Sequence, residues 1–281
     1  MKPTTFPVAR RGRLAAFAAV AMLAWSTPVI AADAVSLEEL PPELRQLLNA
    51  ILTQPQVSPG VVFGSPVGFG AGAGSYFFGL NGSTLEDGND FVGGIEADGS
   101  LVIGAGVGDP LKAVGLELAL NIVSLTDDFA EDGSLALKVH RRIGKRGSLA
   151  VGTENHSRLS WGAVEDHVRA TTSTEFISYS HYFDLDASGD PRGLMLTVGV
   201  GDGRLGTADD PEDFAPFVSL GYNVTRQFSV IGDYAGESFN LGVSWVPWRQ
   251  LPVSIVLGAT DLAEERGSTE FAFAIGYTGQ F

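Results

Sequence analysis

The stretch that decides the fold is EFAFAIGYTGQF, residues 270–281. Phe271, Phe273, Ile275, Tyr277 and Phe281 fall at alternate positions, interrupted only by Gly279, and the residues between them (Ala272, Ala274, Gly276, Thr278 and Gln280) are small or polar. Side chains of a strand point to opposite faces in turn, so this is a strand between two unlike environments. Chain ends ordinarily fray, and a tail that is greasy up to its carboxylate requires something to cover it.

The same alternation runs back through the chain. In AVGLELALNIVSL, residues 113–125, Val114, Leu116, Leu118, Leu120 and Ile122 share one face, and Glu117 and Asn121 lie on the other. ESFNLGVSW, residues 237–245, sets Phe239, Leu241, Val243 and Trp245 against Ser238, Asn240, Gly242 and Ser244. Further strands are expected over 74–81, 89–97, 100–106, 134–142, 148–156, 172–183, 193–201, 214–223, 226–235, 252–261 and 269–281. GVVFGSPVGFG near residue 60 is a candidate fourteenth, and Asp98-Gly99 reads as a tight hairpin between two of them. Such close spacing fits an antiparallel meander and leaves little room for crossover helices.

Composition narrows the class. The 281 residues include 36 Gly, no Cys, 33 acidic and 18 basic side chains, for a formal net charge of −15. An acidic chain is ill suited to wrapping nucleic acid, and the lack of Cys removes disulfides and thiolate metal sites. MKPTTFPVARRGR, then the apolar LAAFAAVAMLAW, then the small residues of STPVIAADA, read as a signal peptide over 1–32, cut after Ala32 or Ala34. The apolar run falls well short of the roughly 20 residues that span a bilayer as a helix. Residues 33–59 read as a tether with a short helix at 42–52, where Leu44, Leu47, Leu48 and Ile51 make one stripe. Residues 60–281 form the β-domain.

Alternation does not say which face is inside. Lys138, His140 and Arg142 share a face, as do Gly152, Glu154 and His156, which is polar for a soluble core. No helix remains to cover sheet edges, and closure removes edges altogether. The terminal strand, with Phe271, Phe273, Ile275, Tyr277 and a final Phe281, resembles that of bacterial outer-membrane β-barrel, porin-like proteins, Gly279 being the one departure. The resemblance implies an all-β, transmembrane, antiparallel up-and-down barrel. It also implies an even strand number, so the strands counted above are taken as about fourteen, with twelve as the second count, following the short N-terminal helix. It further implies insertion by the barrel assembly machinery, which in that family reads the terminal strand (here Phe281, Tyr277, Ile275 and Phe273). Outer-membrane lipids and lipopolysaccharide are the implied surroundings, with both chain ends in the periplasm. Residues 126–133, 156–170, 201–214 and 262–268 then face outward, and the shorter VGDPLK, IGKRGS, NVTRQ and PWRQLP face the periplasm. Tyr222, Tyr234, Trp245, Trp248 and Tyr277 near strand ends suit interfacial girdles.

Motifs for other chemistry fall on context. GFGAGAGSYFFG lacks the strand–turn–helix frame and the Lys of a nucleotide loop. DLDASGD begins like a calcium loop, but the position that needs a bidentate Glu is Met195. The acidic cluster Asp209, Asp210, Glu212 and Asp213 reads as a solvated loop. Asn155-His156-Ser157 and Ser180-His181-Tyr182 lack the His-x-Ser spacing of outer-membrane lipid hydrolases. No enzyme, cofactor or metal site is therefore expected.

What remains is the inner face. Lys138, His140, Arg142, Glu117, Asn121, Glu154, Asp233 and Asn240 are expected to line the lumen, as facing acidic and basic walls that orient polar solutes or as pairs that fill a closed bore. The reading favoured from sequence is a passive channel for small hydrophilic solutes. The alternative is a non-conducting structural, adhesive or envelope-assembly barrel, with a lipid-modifying enzyme as a third class.

Overall fold

The computed structural model describes residues 57–84, 90–92, 95–122, 125, 130, 132–156, 159–162, 173–185, 192–207, 210, 212–265 and 268–281, with the backbone alone over 90–92 and 95–98. The signal peptide and the helix expected at 42–52 lie outside the described residues, as does most of DLDASGD. The strands in chain order are β1 (Ser75–Thr84), β2 (Asp90–Val92), β3 (Ile95–Gly108), β4 (Gly115–Ile122), β5 (Gly133–Ile143), β6 (Gly147–Glu154) and β7 (Ser160–Trp161). They continue with β8 (Thr174–Asp184), β9 (Gly193–Gly201), β10 (Ala215–Asn223), β11 (Phe228–Ala235), β12 (Ser238–Trp245), β13 (Val253–Thr260) and β14 (Glu270–Gln280).

All pairings are antiparallel, and β1 pairs with β14 on one side and β3 on the other, so the sheet closes on itself. Two short strands stay off the circuit: β2 against the far end of β3, and β7 against β5. The closed barrel therefore has twelve strands, which corrects the expectation of about fourteen and matches the second count.

Two local readings caused the overcount. Asp98-Gly99 is not a hairpin: both residues lie within β3, opposite Ser83 and Gly82 of β1. Pairing with β1 holds that dipeptide extended against its turn preference. The two-residue hairpin of the barrel is instead Gly236-Glu237, with φ of 59° and 65°, joining β11 to β12. Positive φ at both central residues is the turn that matches strand twist. The residues near 60 are not a wall strand either; they lie inside the barrel, as described below.

Burial separates the faces. Leu118, Val139, Val151, Ile177, Val198, Leu241 and Leu257 point outward and are exposed, as are Trp245, Tyr277 and Phe271 nearer the ends. Their neighbours along each strand, such as Ala119, Ala136, Ala150, Ser178, Thr197 and Ala274, point inward and are buried. Apolar outside and small or polar inside is the inverse of a soluble barrel, and closed strands of eight to fourteen residues suit a membrane-spanning one. No backbone edge is then offered to lipid. Connections alternate between a turn end, where β1 starts and Phe281 stops, and a loop end carrying the longer segments expected to face outward.

Inward aromatics sit over inward glycines on the neighbouring strand. Phe77 pairs with Gly104, Phe176 with Gly152 and Phe217 with Gly199, each ring occupying the space a Cβ would take. The glycine removes the obstacle and the ring restores the packing. Gly104→Val is expected to cost about 1–3 kcal/mol by overpacking against Phe77. The urea midpoint of the refolded barrel, followed by tryptophan fluorescence, measures it.

Candidate functional site: a lumen filled by residues 57–74

VSPGVVFGSPVGFGAGAG, residues 57–74, lies inside the barrel ahead of β1. Its entry is at the turn end, where the Gly60 N–H donates to Ser244 Oγ (2.8 Å) and the Ser229 hydroxyl donates to the Gly60 carbonyl. Val61 fits against Gly221, and the Phe63 ring lies over Gly242 and Gly258, so bare backbone in the wall makes the groove. Deepest in the barrel, the Ser65 N–H donates to Asp233 Oδ2 (3.2 Å), and Gly64, at φ 124°, turns the chain with its carbonyl held by Arg204 Nη1 (2.7 Å). The return leg brings the Gly68 N–H to Ser180 Oγ (2.8 Å) and the Ala71 N–H to Glu117 Oε2 (2.5 Å). At the turn end the Ala73 N–H reaches the Gly108 carbonyl (2.8 Å).

The segment thus runs in and back out as a hairpin-shaped insert without becoming part of the wall. Between its polar contacts it supplies the apolar filling that the small inner wall lacks. Phe63 packs with Ile231, Val256, Ala272 and Ala274, and Val61, Val62, Val67 and Phe69 pack with Met195. Each large apolar side chain buried this way contributes about 1.5–3 kcal/mol.

The loop end is filled separately. A 3₁₀ turn, Gly203–Leu205, folds inward after β9 and buries Leu205 among Ala150, Phe176, Phe217 and Ala235. Gly203, at φ 58°, passes so close to Thr174 that a Cβ would collide with it. Arg204 joins the two fillings: Nε bonds Glu154 Oε2 (3.0 Å) while Nη1 holds Gly64 of the insert.

All eight residues expected at the lumen lie on the inner face, and all but the half-buried Arg142 are buried. Their arrangement is side by side. Glu117 and Lys138 are direct cross-strand partners with Nζ 2.8 Å from Oε1, both nearly inaccessible. Asp233 and Asn240 are likewise opposite each other, at 3.2 Å. Asn121 donates to Ser134 Oγ (3.3 Å), whose own proton goes to Asn155 Oδ1 (2.6 Å). His140 Nε2 sits 3.0 Å from the Ala71 carbonyl, and the Arg142 guanidinium stacks 5.0 Å from the centre of the Phe69 ring. Five of the eight (Glu117, His140, Arg142, Asp233 and, through Arg204, Glu154) thus bear on the insert.

Arg204 itself was missed from sequence, since GDGRLGTADDPEDF reads as an external loop; its lone cation among acids is the signal that marks it. Ser180, Ser229 and Ser244 were also missed, because an inward Ser looks like any small residue of the pattern. The terminal residues face outward: Phe281, Tyr277 and Ile275 are exposed and Phe273 partly so. Phe281 and Tyr277 cluster around Tyr76 of β1, with ring centres 4.8 and 6.2 Å away. In the second histidine triplet Ser180 is buried inward while His181 points outward; Ser157 of the first lies outside the described residues. Among the described residues no cluster of metal-ligating side chains occurs.

No protein-family model matches the chain, and no curated protein is significantly similar to it. Among solved structures it is similar to the crystal structure of a Pseudomonas aeruginosa FadL homologue, with a TM-score of 0.34 and 8% identity over 74% of this chain and 90% of that one. A likeness that slight carries no argument, and the barrel assignment stands on strand pairing and the inverted faces alone.

Glu117→Leu is expected to destabilise the barrel by about 3–5 kcal/mol, because it removes the carboxylate 2.8 Å from the buried Lys138 ammonium. Adding Lys138→Leu removes that charge and recovers much of the loss. Urea midpoints of the two variants test this.

Proposed function

We propose that the protein is a barrel of the bacterial outer membrane whose lumen is sealed at rest by residues 57–74, and that hydrophilic solute crosses only when this segment is displaced. One observation carries the reading: the insert's backbone is gripped along its length by wall side chains, at Ser244, Asp233, Ser180 and Glu117. A permanently open diffusion pore has no use for such a fit, and the favoured sequence reading of a passive channel gives way here to a conditional one. Lys138, His140, Arg142, Glu117, Asn121, Glu154, Asp233 and Asn240 serve in this reading as the lining that holds the segment and that solute meets once it leaves. The outward separation of His181 from Ser180 speaks for a transport or structural role over lipid hydrolysis.

In planar bilayers the refolded mature chain is expected to give no steady current, and removal of residues 57–71 to give steady stepwise conductance. Ohmic current from the intact chain overturns the proposal. A chain that stays closed after the removal points to the purely structural barrel.

The outward row Phe273, Ile275, Tyr277 and Phe281 is proposed as the signal read by the barrel assembly machinery. Deleting Phe281 is then expected to lower the membrane-inserted fraction in cells several-fold while leaving unassisted refolding into detergent largely intact, since the exposed ring contributes little to the fold. Equal loss in both settings contradicts it.

A further inference from the structure

The charge of the barrel is divided between its ends. Among the described residues the loop end carries Asp210, Glu212, Asp213, Glu264 and Glu265, and its one Lys or Arg is the buried Arg204. The turn end gathers the exposed cations, and they are densest at HRRIGKRG, residues 140–147, where β5 turns into β6. Arg146 is tied to Asp184 at 3.3 Å, and Arg142 is turned inward. Arg141 and Lys145 are exposed, and among the described residues neither forms an ion pair.

Arg141 sits on the outer face, in the belt that meets lipid. Across the wall it lies opposite Leu149 of β6, which lies opposite Tyr179 of β8. Gly147, two residues from Leu149 toward the turn, lies opposite His181 and leaves a bare patch on the outside of the wall. The Tyr179 phenol fills that patch, 2.6 Å from where a Gly147 Cβ would be, and bonds His181 Nδ1 at 2.9 Å. Phe183 stacks on the imidazole with centres 4.6 Å apart. These two contacts hold the ring through Nδ1 and one face. Arg141 and His181 are thus two strand spacings apart across the sheet and two residues apart along it, roughly 12 Å between Cα atoms, with Lys145 and Arg146 along the rim.

An outward guanidinium, an imidazole held by Tyr179 and Phe183, and two rim cations, set among Leu149, Ile143 and Phe183 at the edge of the apolar belt, match a molecule with an anionic phosphate above acyl chains. A free anion would gain nothing from the apolar surround. We propose that the outer face of β5, β6 and β8 at the turn end is a binding site for the headgroup of an anionic glycerophospholipid, held by Arg141, Lys145 and His181. The site rests on the barrel spanning a membrane and is independent of whether the lumen is sealed.

The test uses the full mature chain refolded in mild detergent and titrated with phosphatidylglycerol or phosphatidylcholine, bound lipid being counted by native mass spectrometry. Phosphatidylglycerol is expected to be retained about tenfold better than phosphatidylcholine, the scale of one charge-assisted contact. That preference should fall to near unity in Arg141→Gln/Lys145→Gln and drop several-fold in His181→Ala, while Arg226→Gln/Arg249→Gln, elsewhere on the turn end, leaves it unchanged. Equal loss in the Arg226 and Arg249 variant means diffuse attraction and overturns the site. Displacement by millimolar inorganic phosphate, or preferential retention of lipopolysaccharide, overturns the assignment of ligand. Heat-modifiable migration on gels confirms that each variant is a folded barrel, and bilayer current from the same samples separates failure here from failure of the sealed-lumen reading.

Discussion

A twelve-strand barrel is wider than its own inward side chains can fill when those are Gly, Ala and Ser, and everything else in this structure follows from that constraint. The interior has to be water or protein. Here it is protein: residues 57–74 supply the Val and Phe side chains the wall lacks, and wall glycines at 221, 242 and 258 make the grooves that receive them. Bulk has been moved from the wall to the insert.

Filling a lumen with backbone raises the second requirement, that every buried N–H and C=O find a partner. The insert cannot use strand ladders, because its neighbours are already paired on both sides. Side chains do the work instead, and this is why so polar an inner face coexists with a filled bore. Glu117 illustrates the economy: one carboxylate oxygen faces Lys138 and the other accepts from Ala71. Arg204 does the same at the other end, with Glu154 and Gly64. Of the charges that look from sequence like a selectivity filter, Glu117 and Lys138 neutralise each other through the cross-strand register, and Glu154 is paired by Arg204 of the inward turn.

The wall was largely legible in the sequence because each strand carries its own record of two environments, and the terminal aromatic run said which environment was lipid. Lumen residues such as Lys138 and Asp233 were legible for the same reason, parity along a strand. What was not legible depended on contacts distant in sequence. Asp98-Gly99 has the chemistry of a turn, and the ladder to β1, distant in sequence from any local signal, keeps it extended. GVVFGSPVGFG alternates like a strand, and nothing local distinguishes a segment that pairs with a wall from one that is enclosed by it. Arg204 lay in a loop read as external because inward folding leaves no periodicity behind.

The central claim is that residues 57–74 are lodged in the lumen with their amides bonded to wall side chains, and hydrogen–deuterium exchange on the intact refolded chain tests it most directly. The amides of Gly60, Ser65, Gly68 and Ala71 are predicted to exchange as slowly as those of the surrounding wall strands, since opening them requires the insert to leave. Exchange of these four within seconds, at the rate of an unstructured peptide and with the wall still protected, would contradict the account.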